Sequence, residues 1–364
     1  MANARWPEGQ TTAGRRETPL GGLRKPLSGR IVYNSIYMKT YLWVILWVIT
    51  AAGLCGQDHD YDYTHRLALG ASLGLLNGQA EEIVYRNGRS DAYLSQLLWD
   101  MKPLVYAGAD VHYHWQSPSR GWGVFTDVSV KLGIPMRTGV MEDRDWLDED
   151  YPGWLTHYSV HDNKTRGAVL IDLTAGVSIT LFDRFLLKPF LSYSLMRFSW
   201  TGSGGSVLYP HSYDKNNPPN VIPGHVYLAN TAVITYTQTW NIIATGLSFY
   251  GAFNRYFDAD VSLKLSPFIW CAAVDNHFLR DLTVTESMWG VFFVEPSLLF
   301  SFTPNGFFKL SLAAAYRYIG YTRGNSLYDD RYNGTVTTYG YIGGAGYSAV
   351  TIGLAATFTV LKTP

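Results

Sequence analysis

The 364-residue chain carries few charges for a water-soluble protein, because charged residues make up 16% of it and hydrophobic residues 47%. Its 29 acidic and 29 basic residues balance, which argues against nucleic acid as a partner. Beyond the N-terminus the sequence has no run of about 18 apolar residues, which argues against membrane-spanning helices. A transmembrane β-barrel fits both observations, because its strands alternate lipid-facing apolar residues with lumen-facing polar ones.

The segment that starts at Met38 has the composition of a secretory signal. It reads MKTYLWVILWVITAAGLCGQ, a basic residue followed by an apolar stretch and then small residues. We predict a signal peptide over residues 38–56, with residues 1–37 either upstream of the true start or a removed basic leader. Cys55 could mark a lipoprotein, but the bulky Leu54 before it favours ordinary cleavage. The exported domain then spans residues 57–364, and Cys271 is its single thiol, so we expect no disulfide.

Segments of period-2 alternation recur along the exported part and predict β-strands. The clearest begin at Arg66, Gly121, Arg166, Phe185 and Gly306. Ten strands fit, and an even number lets the last strand pair with the first without an open edge in lipid. We therefore predict an all-β fold, a ten-stranded antiparallel transmembrane β-barrel with long extracellular loops over residues 138–165, 201–232 and 323–340 and short periplasmic turns.

Two acidic segments are expected to meet at one rim of this barrel. Asp143 and Asp145 follow the third predicted strand, and Asp275 and His277 follow the seventh. Counted from a periplasmic N-terminus, odd-numbered strands end outside the cell. Both segments should therefore lie on the extracellular side.

These four residues have the chemistry of a water-activating group. On an extended segment, residues i and i+2 project to the same side, so Asp143 and Asp145 could hold a water or share a proton. In the same geometry, Asp275 could orient the ring of His277 and make it a general base. Together they suggest a hydrolase without a metal or a nucleophilic side chain.

Simpler readings of these motifs remain open at this level. The acidic run could be a solvated loop or bind a divalent cation, and Asp-x-His triplets occur by chance. His157 and His161 could add metal ligands only if their loop were helical, which Pro152 and Gly153 disfavour. We expect no metal site.

The chain also resembles the omptins, outer-membrane endopeptidases with a ten-stranded barrel. The resemblance covers about residues 66–358 and includes the segments SLGLLNGQAEEIVY, LSQLLWD, MEDRDWLD, SYSLMRFSW, DNH and RGNSLYDD. It implies that His277 is the base, that Asp275 orients it, and that Asp143 and Asp145 position the attacking water.

The resemblance further implies cleavage next to basic residues, which an acidic pocket would receive. Glu82 aligns with one acid of that pocket, whereas the second acid falls at or near Ala273. A pocket with one acid should still prefer a cation but hold it less tightly, so strict dibasic specificity is not expected.

Omptins also bind lipopolysaccharide as an activator. Tyr193 and Arg197 match that site, but a partner Arg corresponds to Thr239 and a Glu to Leu195. We expect the dependence on lipopolysaccharide to be weak or absent, and we expect no other cofactor. Arg197 could alternatively be an interfacial residue that extends its charge to the membrane surface.

The sequence thus predicts a monomeric endopeptidase of the bacterial outer membrane, with its active site facing the exterior. Its partners would be polypeptides with basic residues and the lipid of that membrane, and nucleic acid is not expected. The alternatives are a catalytically silent barrel that acts as an adhesin or surface structural protein, and a diffusion pore. Ten strands leave little lumen, which disfavours the pore.

Overall fold

The computed structural model describes residues 63–86, 92–119, 121–150, 152–182, 184–210, 223–290 and 292–363. These belong to one compact unit, Gly56–Pro364. The predicted leader and signal peptide lie outside the described residues.

The described chain is built almost entirely of β-strands. They are β1 (His65–Tyr85), β2 (Tyr93–Gln116), β3 (Trp122–Gly133), β4 (Met136–Asp145), β5 (His157–Phe182), β6 (Phe185–Pro210), β7 (Pro223–Tyr227), β8 (Ala232–Ala252), β9 (Phe257–His277), β10 (Leu282–Gly290), β11 (Phe293–Asn305), β12 (Phe308–Ile319), β13 (Arg323–Asp330) and β14 (Thr335–Thr363). Within the described residues, no helix has the length and apolar character needed to cross a membrane.

These fourteen segments form a closed ring of ten antiparallel strand positions. Four positions are interrupted and consist of β3 with β4, β7 with β8, β10 with β11, and β12 with β13. The ring closes where β14 pairs with β1, from His65 opposite Thr363 to Val84 opposite Gly343. Closure gives each of the ten strand positions two neighbours, which an apolar environment demands. The predicted ten-stranded antiparallel barrel is confirmed.

The outer wall of the barrel carries a belt of exposed apolar side chains. Such residues alternate with buried ones along the strands, and at least half of the surface of each of the following is exposed: Leu73, Leu191, Ile243, Phe268 and Ile352. Water would penalise this surface, whereas lipid solvates it. The belt therefore marks the membrane-spanning part of the barrel.

The lumen behind this belt is filled with side chains. An ion-pair network crosses it, in which Lys264 Nζ lies 3.0 Å from Glu295 and Arg317 contacts both Glu295 and Asp172. Nearer the extracellular end, the rings of Trp99, Trp200 and Tyr236 stack on one another at centroid distances of 5.6 to 6.0 Å. These two layers argue against a diffusion pore.

The segments predicted as long extracellular loops are largely strand, so the prediction of irregular loops there was wrong. Residues 201–210 and 223–227, expected to be irregular, belong to β6 and β7, and residues 323–330 form β13. Hydrogen bonding between neighbouring strands continues beyond the lipid belt. Outward residues there face water, so the apolar alternation that reveals strands within the membrane is lost.

Candidate active site

Asp143 and Asp145 lie at the extracellular end of β4, on the strand itself and not on a loop. The register places Asp143 between Leu97 of β2 and Ser159 of β5, and Asp145 opposite His157. A bulge at Gly139 precedes them, where φ is 113° and the register with β5 shifts by one residue. The bulge resets which residues face inward, so that both carboxylates project into the lumen.

The environment of this pair favours a retained proton. Asp145 is 6% exposed, and Ser95 Oγ donates a hydrogen bond of 3.4 Å to Asp143 Oδ1. Burial, aided by the negative charge of Asp145, raises the pKa of Asp143 to about 7. The pair can therefore carry one proton near neutral pH.

Asp275 and His277 form a dyad at the extracellular end of β9. His277 Nε2 lies 2.5 Å from Asp275 Oδ2, and Asp275 is 2% exposed. Burial lowers the pKa of His277, but the charge of Asp275 and its hydrogen bond outweigh burial, so that the pKa ends above the ordinary value for imidazole. The carboxylate thus fixes the ring and raises its basicity.

The barrel brings the dyad and the Asp pair together, as the sequence predicted. β4 belongs to the third strand position and β9 to the seventh, so that the two face each other across the lumen. The charges of His277 and Asp143 act on each other, and Arg280 in the turn after β9 acts on both. Two carboxylates and a carboxylate-bound imidazole can activate a water and stabilise a developing negative charge.

Glu82, predicted as a substrate-binding acid, lies inside the same end of the barrel. It is on β1 and 3% exposed, and its Oε2 has no hydrogen-bond partner among the described residues. Burial and the nearby charges of Asp275, Glu286 and Asp143 raise its pKa well above the ordinary value. This acid therefore lacks the cation that would compensate its charge.

Glu286 was not singled out in the sequence. It lies on β10 directly opposite Ala273, is 2% exposed, and accepts a hydrogen bond of 2.9 Å from Ser326 Oγ to its Oε1. Burial raises its pKa to about 8. The sequence could have revealed Glu286 in one way. The run LTVTESMWG, which follows the dyad, alternates along the strand, and Glu286 is an acid at one of its inward positions.

The floor of the site is aromatic. Trp99, Trp200 and Tyr236 are fully buried. Gln238 Nε2 donates a hydrogen bond of 3.1 Å to the hydroxyl of Tyr236, and Trp240 Nε1 donates one of 3.0 Å to Gln238 Oε1. This layer lowers the local dielectric under the acids, which strengthens their mutual interactions.

The residues proposed for lipid binding lie on the outer wall of β6. Tyr193 donates a hydrogen bond of 2.6 Å to Asn241 Oδ1, and Arg197 is exposed. The register pairs Arg197 with Thr239 of β8. Thr239 therefore offers a hydroxyl at the position where the lipid site of omptins would have a second Arg.

The two histidines considered as metal ligands lie on a strand and not on a helix. His157 and His161 lie on strand β5, and His161 Nδ1 lies 2.6 Å from the carbonyl oxygen of Gly204 while Nε2 lies 2.9 Å from Ser159 Oγ. In the described part of the chain, no group of three or more His, Cys, Asp and Glu residues is arranged to hold a metal ion. Cys271 is fully buried in the wall as a free thiol.

The sequence is similar to several characterised outer-membrane proteins. It is 28% identical over 225 residues to a plasminogen activator of Yersinia pestis, an alignment that covers 60% of this chain and 65% of that protein. It is 24% identical to the outer membrane protease OmpP of Escherichia coli K12, over 62% of this chain and 68% of OmpP. It is 25% identical over 300 residues to protease 7 of the same strain, over 79% of this chain and 89% of that protein. These relatives support a protease function.

The fold and a family model agree with this similarity. The crystal structure of the outer membrane protease OmpT from Escherichia coli superimposes with a TM-score of 0.71 over 81% of this chain and 96% of that chain, at 20% identity. The model of the omptin family matches residues 28–358. The chain therefore belongs to the omptin family, β-barrels of the bacterial outer membrane with a surface-exposed active site.

Proposed function

We propose that this protein is an endopeptidase that cleaves extracellular polypeptides next to basic residues, using a water activated between Asp143–Asp145 and the Asp275–His277 dyad. The observation that carries the proposal is the convergence of these groups from β4 and β9 above a closed aromatic floor. Family membership supports the peptidase class.

In the proposed reaction, His277 is the general base. Its Nε2 faces Asp275, which leaves Nδ1 to take a proton from water as the water oxygen attacks the scissile carbonyl carbon. Asp275 stabilises the imidazolium that forms. The proton held by the Asp143–Asp145 pair is donated in a hydrogen bond to the developing oxyanion. The C–N bond then breaks, and His277 returns its proton to the leaving amine.

The preference for basic residues would come from Glu82. A buried carboxylate with an unpaired oxygen gains most from a ligand that brings a positive charge. A Lys or Arg side chain of the substrate supplies that charge. The protein would act as a monomer, because one barrel contains the whole catalytic group.

We also propose that lipopolysaccharide has little effect on activity. Arg197 and Thr239 are cross-strand neighbours on the outer wall, so this position offers one cation where a phosphate clamp needs two that converge. No step of the reaction depends on this lipid.

The proposal is tested with mature protein refolded in detergent, with and without lipopolysaccharide, and an internally quenched peptide containing Arg-Arg. We expect cleavage, and we expect His277→Ala to lower kcat by about 10²- to 10⁴-fold through loss of the general base. The matched control is His112→Ala, because His112 forms a second His–Asp pair, 2.8 Å from Asp127 and distant from the site. Absence of cleavage in both conditions would instead favour the silent-barrel alternative.

A further inference from the structure

The site contains two buried acids that the proposed water activation does not use. Glu82 and Glu286 are each nearly inaccessible, and the Oε2 atom of each lacks a hydrogen-bond partner within the described part of the chain. Burying a carboxyl oxygen without a partner is unfavourable, and burying two close together is more so. A ligand that supplies a positive charge would satisfy both.

The two acids share one space. The charge of Glu286 acts on Glu82, and both act on the hydroxyls of Tyr236 and Tyr328. The carboxyl group of Glu286 lies over Gly343 of β14, where an added Cβ would be 2.4 Å from Glu286 Oε1. β13 and β14 lie between β10, which bears Glu286, and β1, which bears Glu82. A side chain at position 343 would collide with the Glu286 carboxyl group, so glycine there leaves that group its space beside β14.

The charges around these acids are also negative. Those that act most strongly on Glu82 belong to Asp275, Glu286 and Asp143, and the charge that acts on Glu286 belongs to Asp275. These neighbours raise the pKa of both acids, and a bound cation would favour their ionised form. The site is suited to a guanidinium or ammonium group.

Glu286 also stands beside the position where the pocket lacks an acid. It is the direct cross-strand partner of Ala273, and both side chains face inward. The Cβ atoms of such partners are about 4.5–5.5 Å apart, so a Glu on β10 can place its carboxyl group in the space that an Asp at position 273 would reach.

We propose that Glu286 is a specificity-determining residue, and that Glu286 and Glu82 together receive the basic side chain of the substrate. The inference rests on the proposed endopeptidase function. It predicts a stronger cation preference than Glu82 alone would give, and it reverses the expectation drawn from Ala273.

The test compares two peptides that differ only in Arg or its uncharged analogue citrulline at the position preceding the scissile bond. We expect Glu286→Gln to lower the Arg-to-citrulline ratio of kcat/KM by about tenfold, since a charge-assisted hydrogen bond is lost. Cleavage of the citrulline peptide should persist, which separates a loss of specificity from a loss of folding. The matched control is Glu81→Gln, because Glu81 is held by Gln96 and Tyr321. Its ratio should equal that of the unmodified protein.

A second variant moves the acid across the strand pair. In Glu286→Ala combined with Ala273→Asp, we expect the Arg-to-citrulline ratio to recover most of the value lost in Glu286→Ala alone. An unchanged ratio in Glu286→Gln, in a protein that does prefer Arg, would overturn the role of Glu286 and leave the proposed function intact. Failure of the unmodified protein to cleave either peptide would overturn the proposed function itself.

Discussion

At the scale of single residues, the site is defined by shared protons. Burial raises the pKa of Asp143 to about 7, and Asp275 keeps the pKa of His277 above its ordinary value despite burial. The resting site therefore exchanges protons near neutral pH. A neutral imidazole and a protonated carboxyl pair can serve as base and acid when an activated water hydrolyses a peptide bond.

The pH dependence of cleavage should reflect the raised pKa of His277. Its imidazole must be neutral to accept a proton, so kcat/KM should rise as pH increases through that value, with a midpoint above 6.5, the ordinary pKa of the group. At higher pH kcat/KM should fall again, because the Asp143–Asp145 pair, in which the pKa of Asp143 is raised to about 7, loses the proton that it donates to the oxyanion. The charges that act on the ring are those of Asp275, Asp143 and Arg280. Asp275→Asn removes the charge that raises the pKa, so the midpoint should move to lower pH, and kcat should fall by about 10²-fold or more.

This prediction is checked by pH–rate profiles of the two proteins with one peptide. The matched control is Asp127→Asn, which alters the other His–Asp pair. A midpoint unchanged in Asp275→Asn would show that another group controls the rise.

The residues of the candidate site differ in how well the sequence alone predicts them. Residue spacing and the count of strands were enough to predict that Asp143 and Asp145 would lie at the same end of the barrel as Asp275 and His277. Glu286 was not predicted, because its importance depends on which residue of β9 it opposes. That register is set by the turn over residues 278–281, whose conformation includes a positive φ of 49° at Asp281.

At the scale of elements, strand extensions above the lipid belt carry the candidate active site. The sequence predicted the ten strand positions but ended several of them too early, because outward residues such as Arg137, Asp162 and Lys164 interrupt the apolar alternation. It also could not reveal the bulge at Gly139, since one inserted residue leaves no periodic trace. Rigid strands hold catalytic groups more firmly than loops would.

One bend in these extensions should be essential for the site. Gly205 has a φ of 83°, and a Cβ there would lie 2.0 Å from the carbonyl oxygen of Val160 on β5. β5 also pairs with the segment of β4 that bears Asp143. We expect Gly205→Ala to lower the free energy of unfolding by about 1–3 kcal/mol, because alanine is strained at a positive φ. We also expect less cleavage, because a shift of β6 at Gly205 would displace β5 and, through it, the part of β4 that bears Asp143.

The comparison uses thermal unfolding together with peptide cleavage. Gly306→Ala is the control, because Gly306 lies in a turn at the opposite end of the barrel and a Cβ there meets nothing within 4 Å. Equal stability and activity in the two variants would contradict a role for the bend.

At the scale of the whole molecule, the barrel separates three environments. The apolar belt faces lipid, the ion pairs and stacked rings close the lumen, and the open upper end presents the proposed catalytic group. Closure below the site confines substrates to the extracellular side. The same outer wall is where a lipid could influence activity, since β8 pairs with β6 on one side and with β9, the strand that bears the dyad, on the other.

The lipid dependence of activity should be adjustable at a single position of this wall. Thr239 faces Arg197 across β6 and β8, so Thr239→Arg places two guanidinium groups on neighbouring strands, where they can converge on one phosphate. We expect lipopolysaccharide to stimulate the variant about fivefold or more over the unmodified protein, through stabilisation of the folded barrel and of β8 beside β9. Peptide cleavage is measured while lipopolysaccharide is titrated into the detergent. Thr285→Arg is the control, since Thr285 is exposed on β10, away from Arg197 on the barrel wall. Equal stimulation of both variants would show that added positive charge acts without a clamp, and strong stimulation of the unmodified protein would mean that Arg197 needs no second cation.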